Sequence, residues 1–353
     1  MQITKAEVIP VKLKLRRPIA MANVPAIEEI YTVFVRLETV QGESAWGCAV
    51  AHPDLTGEDP QDVIASCQDC AEIAPDLFPI NLEYSLAILT AVAGGSSSTM
   101  CAFDLALYDL FGQYTGMPLH QLQGGYRKRI QTSATIPISP ENESLDKAHE
   151  LAQAGFRMFK IKGGIDAEED VRRVRAIQKT LPNHILRLDP DGGYDTQVAI
   201  DVAQALAGKI EMLEQPVPAG DAEALGYVTR RSPVPILADQ SVAGPSSVLE
   251  MAAQHTVDGI SIKVATCGGL HCAGQVDAVA RAGKLFTMVS CIIEPRLLTT
   301  AGLSYALSSP NVKYADLDGY MELVDDPSLG GFILEDGWLV ANDEPGLGCV
   351  VDL

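Results

Sequence analysis

The chain has 353 residues, 47% hydrophobic and 20% charged, the composition of a globular protein with enough apolar material for a large core. Its net charge of −20 argues against nucleic acid or an anionic membrane as partner, because both are held by clustered Lys and Arg. No stretch reaches the roughly 18 apolar residues of a membrane span, and the opening residues lack an apolar core with a cleavage site. With eight scattered cysteines, the setting reads as reducing and cytoplasmic.

In chain order, residues 1–125 mix short strand patterns ("AEVIPVKLKL", "IYTVFVRLETVQGESAWGCAV") with helical ones, an α+β unit. Cys67 and Cys70 form a CxxC with no second pair of matching spacing, so they read as buried helix thiols rather than a zinc site. A long helix, "TMCAFDLALYDLFGQYTG", closes the unit at Gly116 and Pro118. From 126 to 320 the pattern becomes a regular alternation. Eight strand-like runs, from "IQTSATIP" to "VKYADLDG", are separated by helical segments such as "AEEDVRRVRAIQKTL". Eight such units predict a (β/α)7β TIM-like barrel. No GxGxxG or GxxxxGK[ST] follows an early strand, which disfavours a doubly wound sheet. Residues 321–353 read as short strands returning to the first unit, so the fold class is α/β, a barrel with an α+β cap.

The ends of the runs carry the chemistry, because in such barrels the loops after the strands form the active face. Lys160 and Lys162, Asp189, Glu214, Asp239 and Lys263 fall at successive ends, in steps of 27, 25, 25 and 24 residues from Lys162 onward. Three carboxylates on adjacent strands make an oxygen-rich site suited to Mg²⁺, with Mn²⁺ able to substitute. The six histidines fall outside this pattern, which disfavours zinc or a Ser-His nucleophile. Lys162 and Lys263, on the second and sixth strands, would face each other across the barrel. A metal and the second ammonium of Lys160 would lower the pKa of Lys162 and let it act as a base. Two bases on opposite faces of one carbon are the arrangement of a racemase or epimerase. Near the end, "YADLDGY" holds Asp316 and Asp318 two positions apart, on one face if the strand continues. Such a pair calls for a metal, a lysine or arginine, or a charged ligand group, unless both merely cap loop amides.

These stretches, with "KIK", "DPDGGY", "LEQPVP", "ADQS" and "IKVATCGGL", resemble the enolase superfamily in its muconate lactonizing enzyme subgroup, and the terminal "ADLDG" resembles the dipeptide epimerases. The resemblance implies a small-molecule partner, a dipeptide, inverted at its C-terminal α-carbon through a metal-stabilised enediolate. Asp189, Glu214 and Asp239 would be the metal ligands and Lys162 and Lys263 the proton carriers. Asp316 and Asp318 would hold the α-ammonium. Lys160, Thr135, Ile292, Ile293, Glu294 and Asn23 are further candidates for facing the substrate, with Asp191 and Gln240 behind the ligands. Where the family usually has Glu and often Asn, this chain has Gln240 and Asp191. Asn23 stands where relatives acting on Ala-Glu have arginine. Gly163 and Gly164 would leave room beside Lys162. Covering loops near 20–27 and 50–58, with Ile292 and Ile293, suggest an apolar substrate side chain, while Asp54, Glu58 and Glu294 leave a cationic one open. On the same scaffold the alternatives are N-succinylamino acid racemase, o-succinylbenzoate synthase and muconate cycloisomerase. A homo-oligomer is also compatible with the sequence.

Overall fold

The computed structural model describes residues 2–22 and 24–353; Asn23 lies outside the described residues. Eight parallel strands, Ala134–Ile136, Met158–Lys162, Ile185–Asp189, Leu213–Glu214, Ile236–Ala238, Gly259–Lys263, Phe286–Ser290 and Val312–Asp316, pair in chain order. A bridge from Thr132 to Ala315, with the Ser133 amide donating to the Ala315 carbonyl at 3.2 Å, joins the eighth strand back to the start of the first. Each of the first seven strands leads into a helix, several opened by an aspartate. Asp166, Asp195 and Asp221 accept the amides of Glu169, Val198 and Ala224, satisfying donors that have no partner within the helix. The (β/α)7β architecture is the one predicted.

Strand alternation explains where the chemistry sits. The side chains of Phe159 and Ile161, Leu186 and Leu188, and Ile260 and Ile262 are buried at alternate positions. Between them, in register across neighbouring strands, stand Lys160 opposite Arg187 and Lys162 opposite Asp189. A parallel strand covered on both faces is ordinarily apolar throughout. Here one set of alternate positions, the inward one, turns polar.

The first unit differs from the short strands read in its sequence. It is a three-stranded antiparallel sheet of Ile3–Met21, Val24–Thr39 and Ser44–Ala51. Helix Ser97–Thr115 lies against the third strand at Gly47, where a Cβ would fall 1.9 Å from the Ala102 carbonyl oxygen. Cys67 and Cys70 are buried free thiols on helix Pro60–Glu72, as read. The first hairpin slips register between Lys14 and Ile19 around Pro18. Such a bulge releases a strand from its partner. The released Leu15 bridges to Leu323, Arg16 Nε donates to the Met321 carbonyl at 2.9 Å, and the Val324 amide donates to the Lys14 carbonyl at 3.0 Å. The hairpin tip is thereby fastened beside the exit of the eighth strand.

Two buried aspartates of the long helix complete the assembly. Asp104 accepts the amides of Leu270 and His271 at 2.6 and 3.2 Å, capping the barrel helix Leu270–Ala282. Asp109 accepts the amides of Trp46 and Leu347, tying the C-terminal segment to the first unit. That segment also reaches the barrel: Phe332–Glu335 and Trp338–Ala341 form a sheet with Arg129–Gln131. Among the described residues, no helix is long and apolar enough to cross a membrane.

Candidate active site

The strand ends converge on one cavity, lined from the barrel by Thr135, Lys160, Lys162, Asp191, Lys263, Asp316 and Asp318. Lys162 Nζ lies 2.8 Å from Asp189 Oδ2 and 2.9 Å from Asp191. Lys263 pairs with Asp239. Lys160 pairs with Asp316 and stands 3.3 Å from Asp189 Oδ2 and 3.9 Å from Glu214 Oε2. Gln240 Nε2 donates to Asp191 Oδ1 at 3.1 Å, so the two residues read as lying behind the ligands touch one another, and Asp191 also touches Lys162.

The carboxylates around the lysines set their pKa values, while at Lys162 the Lys160 ammonium acts in the lowering direction, as read. Burial alone would lower all three, but neighbouring carboxylates outweigh it and every one is raised. The carboxylates are Asp316, Glu214 and Asp189 at Lys160, Asp189 and Asp191 at Lys162, and Asp239 and Glu214 at Lys263. Neutralising those carboxylates is the condition for either lysine to serve as a base near neutral pH.

Six carboxylates (Asp189, Asp191, Glu214, Asp239, Asp316, Asp318) face three ammonium groups in this site, a formal excess of three negative charges before any carboxyl takes up a proton. Glu214 carries the clearest sign of it. Neither of its buried oxygens has a hydrogen-bond partner, and burial followed by the charge of Asp189 pushes its carboxyl well above the usual range. A buried carboxyl without a partner is costly. A cation against it would supply what is missing, and the hard oxygen donors suit Mg²⁺. With Asp189 and Asp239 turned onto lysines, no three Asp, Glu, Cys or His side chains form a ready ligand set among the described residues.

The barrel strand ends at Asp316, and Asp318 opens the turn beyond it rather than continuing the strand. The two nevertheless line the same cavity. Lys160 and the Ser133 hydroxyl hold the Asp316 carboxyl below its ordinary value despite burial. Asp318 accepts the Thr135 amide at 2.6 Å and is pushed up to about 6 by burial and by Asp316. The cation facing the pair is Lys160, and it satisfies Asp316 alone.

The cavity wall is apolar where the covering segments meet it: Ile19 and Met21 from the hairpin, Leu55, and Ile292 and Ile293 after the seventh strand. Three residues read as possible cation contacts are absent from the lining. Glu294 is buried and accepts the Ile292 amide and the Thr299 hydroxyl, because the helix starting at Arg296 gives it local donors. Glu58 accepts the Ser98 amide at the start of the long helix, and Asp54 sits in a first helical turn. The glycines after Lys162 do not make room for a ligand either. A Cβ on Gly163 would meet the Asp170 carboxylate at 2.6 Å, and one on Gly164 (φ 98°) would meet the Pro190 carbonyl oxygen at 2.1 Å. Close packing of adjacent strand loops, not space, requires them.

Sequence reasoning missed two features. Arg17 and Glu322, 3.7 Å apart, complete the rim from the hairpin and from the turn after Asp318. Gln215 adopts φ 33° immediately after Glu214, and its Oε1 accepts the amides of Asp239 and Ser241 at 2.9 and 3.2 Å. It thus holds the loop that presents Asp239. The residue following a metal-ligand candidate on a strand faces the other way, so alternation alone hides this role.

A capped parallel barrel with lysines and carboxylates gathered at the C-terminal ends of its strands defines the class of protein. The family patterns agree. Residues 3–124 match "Mandelate racemase / muconate lactonizing enzyme, N-terminal domain" and residues 143–353 match "Enolase C-terminal domain-like". The chain belongs to the enolase superfamily and is an isomerase. It is 33% identical to a hydrophobic dipeptide epimerase of Enterococcus faecalis, over 95% of each chain. An L-Lys-D/L-Arg epimerase of Methylococcus capsulatus is also 33% identical, over 99% of each. Among solved structures, a dipeptide epimerase from Enterococcus faecalis complexed with Mg and the dipeptide L-Leu-L-Tyr superposes with a TM-score of 0.95, at 32% identity over 99% of each chain.

Proposed function

We propose that the protein is a Mg²⁺-dependent dipeptide epimerase inverting the α-carbon of the C-terminal residue of an L,L-dipeptide with apolar side chains. One observation carries this. Lys162 and Lys263, four strands apart on an eight-stranded ring, enter one cavity from opposite sides, with Asp316 and Asp318 beside them. Lys162 would take the α-proton from one face while Lys263 delivers a proton to the other, and the roles reverse for the product epimer.

Asp189, Glu214 and Asp239 would hold the metal, which when bound offsets the charge that builds on the substrate carboxylate as the α-proton leaves. Mn²⁺ can use the same oxygen donors. The Asp316/Asp318 pair accepts the substrate ammonium. An N-succinyl or cycloisomerase substrate would bring a further carboxylate towards the pair and be repelled. Ile19, Met21, Leu55, Ile292 and Ile293 support an apolar side chain, as does the likeness to the hydrophobic dipeptide epimerase.

The test is solvent exchange. L,L-dipeptides incubated with protein and Mg²⁺ in D₂O should gain one mass unit at the C-terminal residue. Lys162→Ala and Lys263→Ala should each confine exchange to one of the two epimers. Undiminished exchange of both epimers in both variants would refute the lysine roles, and no exchange in any dipeptide by the wild type would refute the activity.

A further inference from the structure

The layer of a barrel beneath its reactive end is ordinarily filled by branched apolar side chains. Here that layer holds Arg187, with no exposed surface, two residues below Asp189 on the third strand. Its Nε donates to Glu211 at 2.8 Å. Its Nη1 reaches the Ser133 hydroxyl at 3.3 Å and the Ala315 carbonyl at 3.2 Å, the terminal nitrogens also meet the sulfurs of Met288 and Met158 at 3.6 Å, and the guanidinium lies 5.1 Å from the centroid of the Tyr314 ring. Ser133, also fully buried, donates its hydroxyl to Asp316 Oδ1 at 2.5 Å. The other oxygen of Asp316, Oδ2, faces Lys160.

A continuous chain therefore runs up the inside of the barrel, from Glu211 through Arg187 and Ser133 to Asp316. Taking a guanidinium out of water is costly, and a partly exposed carboxylate with one aromatic face does not require it to sit inside a barrel. What the placement achieves is at its upper end. Arg187 donates to the Ser133 oxygen, and of the two acceptors within reach of the hydroxyl, Asp316 at 2.5 Å outcompetes the Ala315 carbonyl at 3.4 Å. One Asp316 oxygen is thereby engaged, and the rotamer that turns the other towards Lys160 is held.

We infer that Arg187 and Ser133 are positioning residues for substrate recognition, holding Asp316 so that its Oδ2 can take the dipeptide ammonium alongside Lys160; this rests on Asp316 having that role. Neither residue lines the cavity, so both act only through Asp316.

The experiment compares L-Leu-L-Tyr with its des-amino analogue, 4-methylpentanoyl-L-tyrosine, as substrate and as competitive ligand of the Mg²⁺-loaded enzyme. Ser133→Ala, which deletes one hydroxyl, should raise KM for the dipeptide roughly tenfold while kcat stays within about twofold. Its preference for the dipeptide over the analogue should fall by the same factor. Arg187→Met should act in the same direction, and Arg187→Lys, which keeps a charge, should restore part of the preference. An unchanged preference in Ser133→Ala, whatever its stability, would overturn the inference and leave these residues as packing. Asp316→Asn separates the two levels. If it abolishes the preference while Ser133→Ala does not, only the positioning role fails; if it too leaves the preference intact, the ammonium-binding role of Asp316 fails and the inference with it.

Discussion

Replacing Glu214 by methionine, a side chain of similar length without polar oxygens, should make the metal-free protein more stable. Both Glu214 oxygens are buried without a hydrogen-bond partner, and the nearest cation, Lys160 at 3.9 Å, keeps its pairing with Asp316 and a contact with Asp189 at 3.3 Å when Glu214 is removed. An unsatisfied buried polar group costs about 1–3 kcal/mol, so Glu214→Met should stabilise by that order. At about 2 °C per kcal/mol for a large chain, Tm in EDTA should rise by about 2–6 °C. The same variant should lose the stabilisation that Mg²⁺ confers on the wild type, about 2.7 kcal/mol at a hundredfold excess over Kd. Differential scanning calorimetry with EDTA and with Mg²⁺ measures both effects. A variant less stable than the wild type in EDTA would refute the reasoning, since Glu214 would then be satisfied by the protein itself.

Gln215→Ala removes the amide that accepts the Asp239 and Ser241 backbone N–H groups; Mg²⁺ affinity measured by calorimetry should fall about 10–100-fold, the usual range for groups that orient ligands. Leu55→Asp places a carboxylate in the apolar wall and should shift preference towards dipeptides carrying Lys or Arg by about tenfold or more, read from competitive exchange of a dipeptide mixture in D₂O. Asp318, pushed up to about 6, keeps in the folded state a proton that the unfolded chain releases near pH 4. Stability therefore falls as pH rises through that window. Asp318→Asn abolishes this titration, so between pH 4 and 6.5 the Tm of the metal-free variant should decline less than that of the wild type; equal slopes would mean that its charge is compensated.

Much of the site was legible because a βα repeat of constant length puts every strand end at one mouth. Residues spaced like Lys162, Asp189, Glu214, Asp239 and Lys263 then gather at one end of the barrel whatever the loops do, the two lysines lining the cavity and the three carboxylates lying behind them. The resemblance added roles that spacing alone leaves open. Glu294 and Glu58 misled because an acidic residue in a covering segment looks the same in sequence whether it faces a ligand or caps a backbone amide. Gly163 and Gly164 likewise looked like space for a ligand, although neighbouring loops already fill it.

The repeat and the alternation of inward and outward side chains along each strand are local properties, and so the sequence by itself determined the barrel, its polar mouth and the two opposed lysines. Which carboxylate a lysine occupies, which carboxyl is left without a partner, and how Arg187 reaches Asp316 through Ser133 depend on contacts between distant segments. Ser133 and Asp316, at opposite ends of the barrel sequence, meet only because the eighth strand closes onto the first. The bulge at Pro18 joins the cap to the exit of the eighth strand in the same way. Ring closure and packing, which no local pattern encodes, decided those pairings.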